Sequence, residues 1–207
     1  MKKSRLLFII VLLGCWVMAL ISCAKQEVRN IDSQGKNIIC FGDSITAGYG
    51  VGENESYPYL LQQVLNMPVI NAGLDGDTTS EALKRLNTDV LEKEPYLVII
   101  ELGGNDFLRR MPLEQTIKNI EEMIIKIQDC GAIVALADIS VGMIMDDYYR
   151  EYKRLSNKYK TIFIPHLLAG ILTSPQLKTD FIHPNSEGHR IIFERIYRRI
   201  LPFIKRS

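Results

Sequence analysis

The chain has 207 residues, of which 47% are hydrophobic and 24% are charged. This length and composition predict one globular domain that can bury a full hydrophobic core. The formal net charge of +1 argues against a polybasic nucleic-acid binder, so we expect no nucleic-acid partner. The oligomeric state does not follow from these quantities.

The start of the chain has the pattern of a secretory signal peptide. A short basic stretch precedes an uncharged, mostly apolar run at residues 6–21. This run is short for a membrane-spanning helix, which needs about 20 residues. It ends in LISC at residues 20–23, which resembles the lipobox of bacterial lipoproteins, where the cysteine is lipidated after cleavage. We expect residues 1–22 to be a lipoprotein signal peptide; an ordinary signal peptide or an uncleaved anchor is the alternative.

Lipidation of Cys23 would anchor the exported protein to a membrane of the bacterial cell envelope. Residues 23–36 are then the lipidated cysteine with a flexible polar tether, and residues 37–207 are the folded domain. Within this domain we expect Cys40 and Cys130 to be free buried thiols, although a disulfide between them stays open. No Cys/His cluster indicates a metal site.

Strands and helices alternate along the predicted domain. In chain order, the predictions are a strand at Asn37–Phe41, a helix at Tyr57–Asn66, a strand at Pro68–Ala72, a helix at Thr78–Leu91, a strand at Tyr96–Leu102, a helix at Leu113–Cys130, a strand at Ala132–Ala137, a helix at Asp146–Lys158, a strand at Thr161–Ile164 and a helix at Asn185–Ile204. The strands are continuous apolar runs, which indicates a parallel sheet covered on both faces. We therefore predict a three-layer α/β/α fold with five parallel strands and a flavodoxin-like topology. Sites in such folds lie at the carboxyl ends of the strands.

A serine follows the first predicted strand at this edge. Ser44 comes two residues after Gly42, so a tight turn can expose its hydroxyl and free its backbone N–H. The stretch is not the GxSxG elbow, because Thr46 stands where the second glycine would be. Taken alone, it is equally consistent with a turn that ends in a helix-capping serine.

Two further loops follow the second and third predicted strands. The loop at residues 71–78 has two glycines three positions apart, followed by Asp and Thr, and on its own it is best explained as a capped loop. The loop at residues 101–106 has two glycines followed by Asn105, whose side-chain amide is a neutral donor. Neutral donors directed at developing negative charge are what an oxyanion hole requires. GxGxxG is absent, so we predict no dinucleotide site.

An Asp and a His precede the last helix. Asp180 lies three residues before His183, so its carboxylate can reach Nδ1 and leave Nε2 free for a nucleophile. We expect Pro184 to occupy the first position of the last helix. His166 has no such neighbour in the sequence, and His189 falls within the helix, so surface or core roles are expected for both.

Taken together, these motifs resemble the GDSL/SGNH hydrolase family, and most closely its thioesterase I, arylesterase and lysophospholipase type. The similar stretches are FGDSIT (41–46), INAGLDGDT (70–78), ELGGNDFLR (101–109) and DFIHPN (180–185). The resemblance runs from about Lys36 to the C-terminus, and it makes residues 37–207 an SGNH hydrolase domain.

The resemblance implies a role for each matching residue. Ser44 is the expected nucleophile, with Asp180 and His183 as its triad partners. The expected oxyanion donors are the Ser44 N–H, the Gly76 N–H and the Asn105 side chain. Gly76 is preferred to Gly73 because the glycine of the family comes directly before Asp-Thr. Asp43 is expected to orient the turn by hydrogen bonds.

The resemblance also implies the reaction. We expect a serine esterase that forms an acyl-enzyme without metal or cofactor. Its expected substrates are acyl esters, such as lysophospholipids or short-chain esters, with thioesters as a further class. The sequence departs from the thioesterase type at residues 138–143, which leaves the preferred chain length open. The alternatives are an esterase of carbohydrate or cell-wall O-acetyl groups and a non-catalytic lipoprotein that binds its ligand.

Overall fold

Five parallel strands form the centre of the structure, a computed structural model that describes residues 27–205. The strands are β1 (Asn37–Gly42), β2 (Val69–Gly73), β3 (Pro95–Glu101), β4 (Ile133–Ala137) and β5 (Ile162–Ile164), in the order β2-β1-β3-β4-β5. Every strand pair is parallel. This order has its switch point between β1 and β3, which confirms the flavodoxin-like prediction. The predicted signal peptide and Cys23 lie outside the described residues.

Helices cover both faces of this sheet. They are α1 (Ser44–Ala47), α2 (Tyr57–Val64), α3 (Thr79–Asp89), α4 (Gly104–Leu108), α5 (Leu113–Asp129), α6 (Asp146–Tyr159) and α7 (Ser186–Ile200). Helices α2 and α7 pack together, as do α3 with α5 and α5 with α6. Every residue of β3 and β4 is buried, as expected for strands covered on both sides. The predicted three-layer α/β/α fold is confirmed.

The last helix differs from its prediction at both ends. Its N-cap is Asn185, whose side chain accepts from the Gly188 N–H at 3.1 Å. The prediction that Pro184 opens the helix was therefore wrong, because the Asn185 side chain satisfies the first free N–H groups one residue later. The α-helix ends at Ile200, four residues before its predicted end at Ile204, because Pro202 has no N–H with which to extend it. A short 3₁₀ turn at Leu201–Phe203 follows.

Part of the predicted tether packs against the domain. The Asn30 side-chain amide donates to the carbonyls of Gln128 (2.8 Å) and Ala132 (2.9 Å), and Val28 is buried. The Arg29 N–H donates to the carbonyl of Lys160 at 3.0 Å. The polar composition of this segment predicted flexibility. In the structure its polar groups form hydrogen bonds with residues just before β4 and β5.

The two domain cysteines are both free, as expected, and they differ in exposure. Cys40 lies in β1 and is buried. Cys130 is exposed, which corrects its prediction as a buried thiol, because it caps the end of α5 beyond the last buried turn. In the part of the chain that the structure describes, no helix is long and apolar enough to cross a membrane.

Candidate active site

Ser44 is the first residue of α1, directly beyond the carboxyl end of β1. Asp43 is the N-cap of this helix, and its Oδ1 accepts from the Ile45 N–H at 3.0 Å. The cap is therefore Asp43, so the helix-capping role considered for Ser44 does not apply. Asp43 orients the turn as expected, and the Ser44 hydroxyl is left to bond elsewhere.

The Ser44 hydroxyl meets a His–Asp pair. Ser44 Oγ lies 2.9 Å from His183 Nε2, and His183 Nδ1 lies 2.7 Å from Asp180 Oδ2. Asp180 Oδ1 also accepts from the N–H groups of Ile182 and His183, each at 2.9 Å. The His183 side chain, followed by these two N–H groups, lowers the pKa of Asp180 from 3.8 to about 2. An ionised Asp180 holds the proton on Nδ1 and leaves Nε2 able to accept from Ser44.

The Asn105 side chain lies at the same carboxyl edge of the sheet, just after the end of β3. It belongs to α4, and its Nδ2 donates to Asp77 O at 3.0 Å and to Asp43 Oδ2 at 3.2 Å. These bonds join the loops that follow β1, β2 and β3. The structure thus brings Ser44, Asn105 and His183 to one side of the sheet, where all three line the same cavity.

The two loop glycines differ in environment. Gly73 ends β2, and its N–H donates to the Asn71 side chain at 3.0 Å. Gly76 has a φ of +75°, a conformation that glycine adopts without strain, and its carbonyl accepts from Arg109 Nη2 at 2.7 Å. Within residues 27–205, neither the Gly76 N–H nor the Ser44 N–H donates to another residue. Both are therefore available as donors to a ligand.

Two buried carboxyl groups lie beneath the serine. Burial raises the pKa of Asp43 from 3.8 to about 6. Glu101 is also buried, and its burial together with nearby Asp43 raises the pKa of its carboxyl well above the usual range. Thr46 Oγ1, on the helix that carries Ser44, donates to Glu101 Oε2 at 2.8 Å. Sequence reasoning missed this contact of Glu101 with α1, because only the fold brings the two together.

An apolar cavity of about 250 Å³ opens beside the Ser44 hydroxyl. Its apolar lining comes from Ile45, Phe107, Leu108, Ile139, Val141, Met145, Leu168, Leu172 and Ile182. Residues 138–143 contribute two of these side chains, so the segment that departs from the thioesterase type does shape the cavity. Arg109 does not line the cavity: its Nη2 donates to the Gly76 carbonyl, and its Nη1 lies 3.4 Å from Glu81 Oε2.

Three aromatic and histidine contacts were missed by sequence reasoning. Tyr49 lies against His183, with ring centroids 4.4 Å apart. His166 does have an acidic neighbour, since its Nδ1 lies 3.5 Å from Asp138 Oδ2, because β4 and β5 are adjacent strands. His189 is buried in α7, as a core role requires, and its Nδ1 accepts from the Tyr57 N–H.

Across the described residues, no three His, Cys, Asp or Glu side chains are grouped to hold a metal ion.

Comparison with known proteins identifies the family. Residues 40–191 match the GDSL-like lipase/acylhydrolase family. The chain is 32% identical to an arylesterase of Vibrio mimicus over 80% of this chain and 88% of that protein. It is 27% identical to thioesterase 1/protease 1/lysophospholipase L1 of Escherichia coli (strain K12), over 81% of this chain and 84% of that protein. The crystal structure of TesA matches with a TM-score of 0.77 at 31% identity, covering 81% of this chain and 99% of that one. The chain belongs to the GDSL-like lipase/acylhydrolase family, and it is an ester hydrolase.

Proposed function

We propose that Ser44 is the nucleophile of this esterase, with His183 as general base and Asp180 as the group that orients it. The proposal rests on the unbroken chain of short contacts from Ser44 Oγ through His183 to Asp180. His183 Nε2 takes the hydroxyl proton as Ser44 attacks the ester carbonyl, and then gives it to the leaving alcohol or thiol. In the second half, water attacks the acyl carbon while His183 Nε2 takes its proton, and His183 returns that proton to Ser44 Oγ as the acyl–oxygen bond to Ser44 breaks and the acid leaves.

The negative charge of the tetrahedral intermediate needs hydrogen-bond donors close to the attacked carbonyl. We assign this role to the Ser44 N–H, the Gly76 N–H and the Asn105 Nδ2. The first two have no hydrogen bond to another described residue, and Asn105 lines the cavity together with Ser44. Gly76 does not line the cavity; it is close to Asn105 in the fold only through the neighbouring Asp77, whose carbonyl accepts from Asn105 Nδ2. No metal or cofactor takes part in these steps.

The apolar cavity beside Ser44 favours the acyl side of the ester as the recognised group. Its volume of about 250 Å³ lies just below the range of about 300–1,000 Å³ that is usual for ligand sites, so it accommodates a short or medium acyl chain. We propose acyl esters as substrates, including short-chain esters and lysophospholipids, with thioesters as a further class. The name of the Escherichia coli relative, a thioesterase and lysophospholipase, agrees with this range.

We also propose that Cys23 carries a lipid that anchors the protein to a bacterial envelope membrane. The support is the apolar run that ends in LISC at residues 20–23. A stretch of 79 residues is also 35% identical to an uncharacterized lipoprotein of Bacillus subtilis, YqeF. Metabolic labelling with a radioactive fatty acid tests this step, because the Cys23→Ser variant should lose the label that the parent chain incorporates.

The nucleophile is tested by covalent labelling with a fluorophosphonate probe. The parent protein should be labelled at Ser44, and Ser44→Ala should show no labelling and a loss of turnover of at least about 10⁴-fold. The matched control is Ser140→Ala, since Ser140 also follows a strand at this edge but does not line the cavity. Labelling that persisted in Ser44→Ala would remove Ser44 from the mechanism.

Hydrolysis of carbohydrate or cell-wall O-acetyl groups is the second candidate. It is favoured by a 25% identity to an acetylxylan esterase of Geobacillus stearothermophilus, over 80% of this chain. The apolar lining of the cavity favours longer acyl groups instead. Release of acetate from an O-acetylated glycan, without activity on lysophospholipid, would establish the second candidate.

A further inference from the structure

The chain enters the domain along the edge of the sheet where the strands begin. The Asn30 amide donates to the carbonyl of Ala132, the residue directly before β4. The Lys36 N–H donates at 2.8 Å to the carbonyl of Glu94, the residue directly before β3. Residues 27–36 therefore lie at the amino ends of the strands, which we call the amino edge.

This segment is built into the domain and does not act as a free linker. No residue with a side chain could replace Gly35, because its Cβ would lie 2.1 Å from the carbonyl oxygen of Pro95. Lys205 Nζ donates to the carbonyl of Ser33 at 2.7 Å, and Val28 is buried. Glu27 also forms an ion pair with Lys160 at 2.8 Å, so a freely moving tether must end before Glu27.

The catalytic groups occupy the opposite edge of the sheet. Ser44 follows β1 and Asn105 follows β3, both at the carboxyl ends. Strand β3 has seven residues and spans about 20 Å from one edge to the other at about 3.3 Å per residue. The mouth of the cavity is thus separated from the amino edge by at least the length of the strands.

The length of chain left for a tether is short by comparison. Four residue steps separate Cys23 from Glu27, and fully extended they reach about 14 Å. A lipid on Cys23 would hold the amino edge within this distance of the bilayer. With the strands upright and the cavity mouth on the same bilayer, the amino edge would lie about 20 Å from the surface, which is farther than the tether reaches.

We propose that the anchored enzyme acts on esters that reach it through the aqueous space, and not on esters embedded in the bilayer that holds it. The inference rests on the lipid anchor at Cys23 of the proposed function. The substrates that this orientation allows are soluble esters, lysophospholipid monomers that have left a membrane, and esters carried on polymers. Lipids that remain in the anchoring bilayer are excluded by the geometry of attachment.

The orientation is tested on the full chain, produced in a host that lipidates it and reconstituted in phosphatidylcholine vesicles. A donor dye is placed at Ile31→Cys on the amino edge or at Met143→Cys near the cavity mouth. Both positions are exposed, and Cys130→Ser removes the exposed native thiol. Rhodamine-labelled lipids should quench the dye at position 31 more strongly than the dye at position 143. Equal quenching, or the reverse order, would overturn the proposal.

The functional consequence is tested by lengthening the tether. Insertion of about 20 Gly/Ser residues between Ala24 and Lys25 adds a flexible reach of about 25 Å. The same insertion after Ser207 is the matched control. The substrate is the longest p-nitrophenyl ester that the parent hydrolyses in mixed micelles, dissolved in the vesicle bilayer. The longer tether should raise its hydrolysis at least about tenfold, because the site then reaches the bilayer. Soluble p-nitrophenyl butyrate should be hydrolysed equally by all three proteins.

Equal rates on the bilayer-dissolved ester, whether high or low, would overturn the proposal while leaving the esterase mechanism untouched. Failure of the anchor itself is detected separately by flotation. The parent should float with the vesicles, and Cys23→Ser should not. If the parent did not float, the lipid anchor and the orientation that depends on it would both be wrong, whatever the rates on soluble esters.

Discussion

The side-chain amide of Asn105 donates to the Asp43 carboxylate across 3.2 Å while it also donates to the Asp77 carbonyl across 3.0 Å. Both hydrogens of Nδ2 are therefore in use in the structure. An oxyanion can accept from Asn105 only by taking the place of one of these partners. The bond to Asp43 is the longer of the two, so we expect it to be exchanged during the reaction.

Replacement of Asn105 tests this role directly. Asn105→Ala should lower kcat about 10²–10³-fold, because one donor to the developing negative charge is lost. Asn105→Asp, of nearly the same size, replaces the donor by an acceptor and should be slower still. Steady-state kinetics with p-nitrophenyl butyrate measure both, and circular dichroism checks the fold. A kcat of Asn105→Ala equal to that of the parent would exclude Asn105 from the oxyanion hole.

Asp180 should remain ionised far below neutral pH. Its pKa is lowered from 3.8 to about 2 by the His183 side chain and by two backbone N–H groups. Because the folded pKa is below the unfolded one, this carboxylate stabilises the fold above about pH 4, and the contribution disappears as the pH falls through 2. Carboxyl ¹³C NMR should therefore show a titration midpoint for Asp180 below about 3. A midpoint near 4 would contradict the bond to His183.

The same bond predicts the effect of a neutral replacement. Asp180→Asn keeps the size of the side chain but no longer holds His183 in the required tautomer, so kcat should fall about 10³–10⁴-fold. Asp75→Asn, in another loop at this edge, is the matched control and should leave kcat within about twofold of the parent. An unchanged kcat in Asp180→Asn would show that His183 is oriented by other contacts.

The strands and the His–Asp pair were predictable because their signals are local in the sequence. Strand β3 was predicted at Tyr96–Leu102 and is found at Pro95–Glu101, since a continuous apolar run marks a strand buried on both faces. Asp180 and His183 are three residues apart, so one turn brings them together. The prediction of Ser44 as the nucleophile needed the additional support of the other loops.

The remaining features depend on contacts between distant parts of the chain. Asn30 belongs to a polar stretch that reads as a flexible linker, yet its amide bonds carbonyls about 100 residues away. Glu101 resembles the polar end of a strand in the sequence, and only the parallel pairing of β1 with β3 places it beneath α1. Such pairings follow from topology, and neither periodicity nor composition contains them.

The apolar cavity should set the preference for acyl length. Val141 lines it and is half-buried, so Val141→Phe should fill part of the space without disturbing the core. We expect kcat/KM for the octanoyl ester to fall at least about tenfold, with little change for the acetyl ester, since lost apolar contacts of this size cost about 1–3 kcal/mol. The measurement is a series of p-nitrophenyl esters of increasing chain length.

Met143→Phe is the matched control for this change. Met143 lies two residues away and is 94% exposed, so the same new side chain should leave the whole series unchanged. An equal loss for acetyl and octanoyl esters in Val141→Phe would mean that the substitution disturbs the catalytic groups. Unchanged kinetics for both esters would mean that the acyl chain lies elsewhere.

His189 should make the fold less stable in mild acid. It is fully buried, and its Nε2 has no hydrogen-bond partner among the described residues. Burial, with a smaller contribution from the charge of His183 and against that of Glu55, lowers its pKa from 6.5 to about 4. The folded pKa is below the unfolded one, so the unfolded chain binds the proton first. The free energy of unfolding contributed by His189 therefore falls as the pH drops from 6.5 towards 4.

The size of this effect is about 2–3 kcal/mol between pH 7 and pH 4.5, at 1.36 kcal/mol for each unit of pKa difference. Asp43 acts in the opposite direction, because its pKa is raised to about 6 and protonation there stabilises the fold as the pH falls below 6. The two contributions are separated by His189→Asn, whose side-chain oxygen can still accept from the Tyr57 N–H. Urea unfolding followed by circular dichroism at both pH values should show a larger acid destabilisation in the parent than in His189→Asn. Equal losses in the two proteins would show that His189 is not held neutral by the fold.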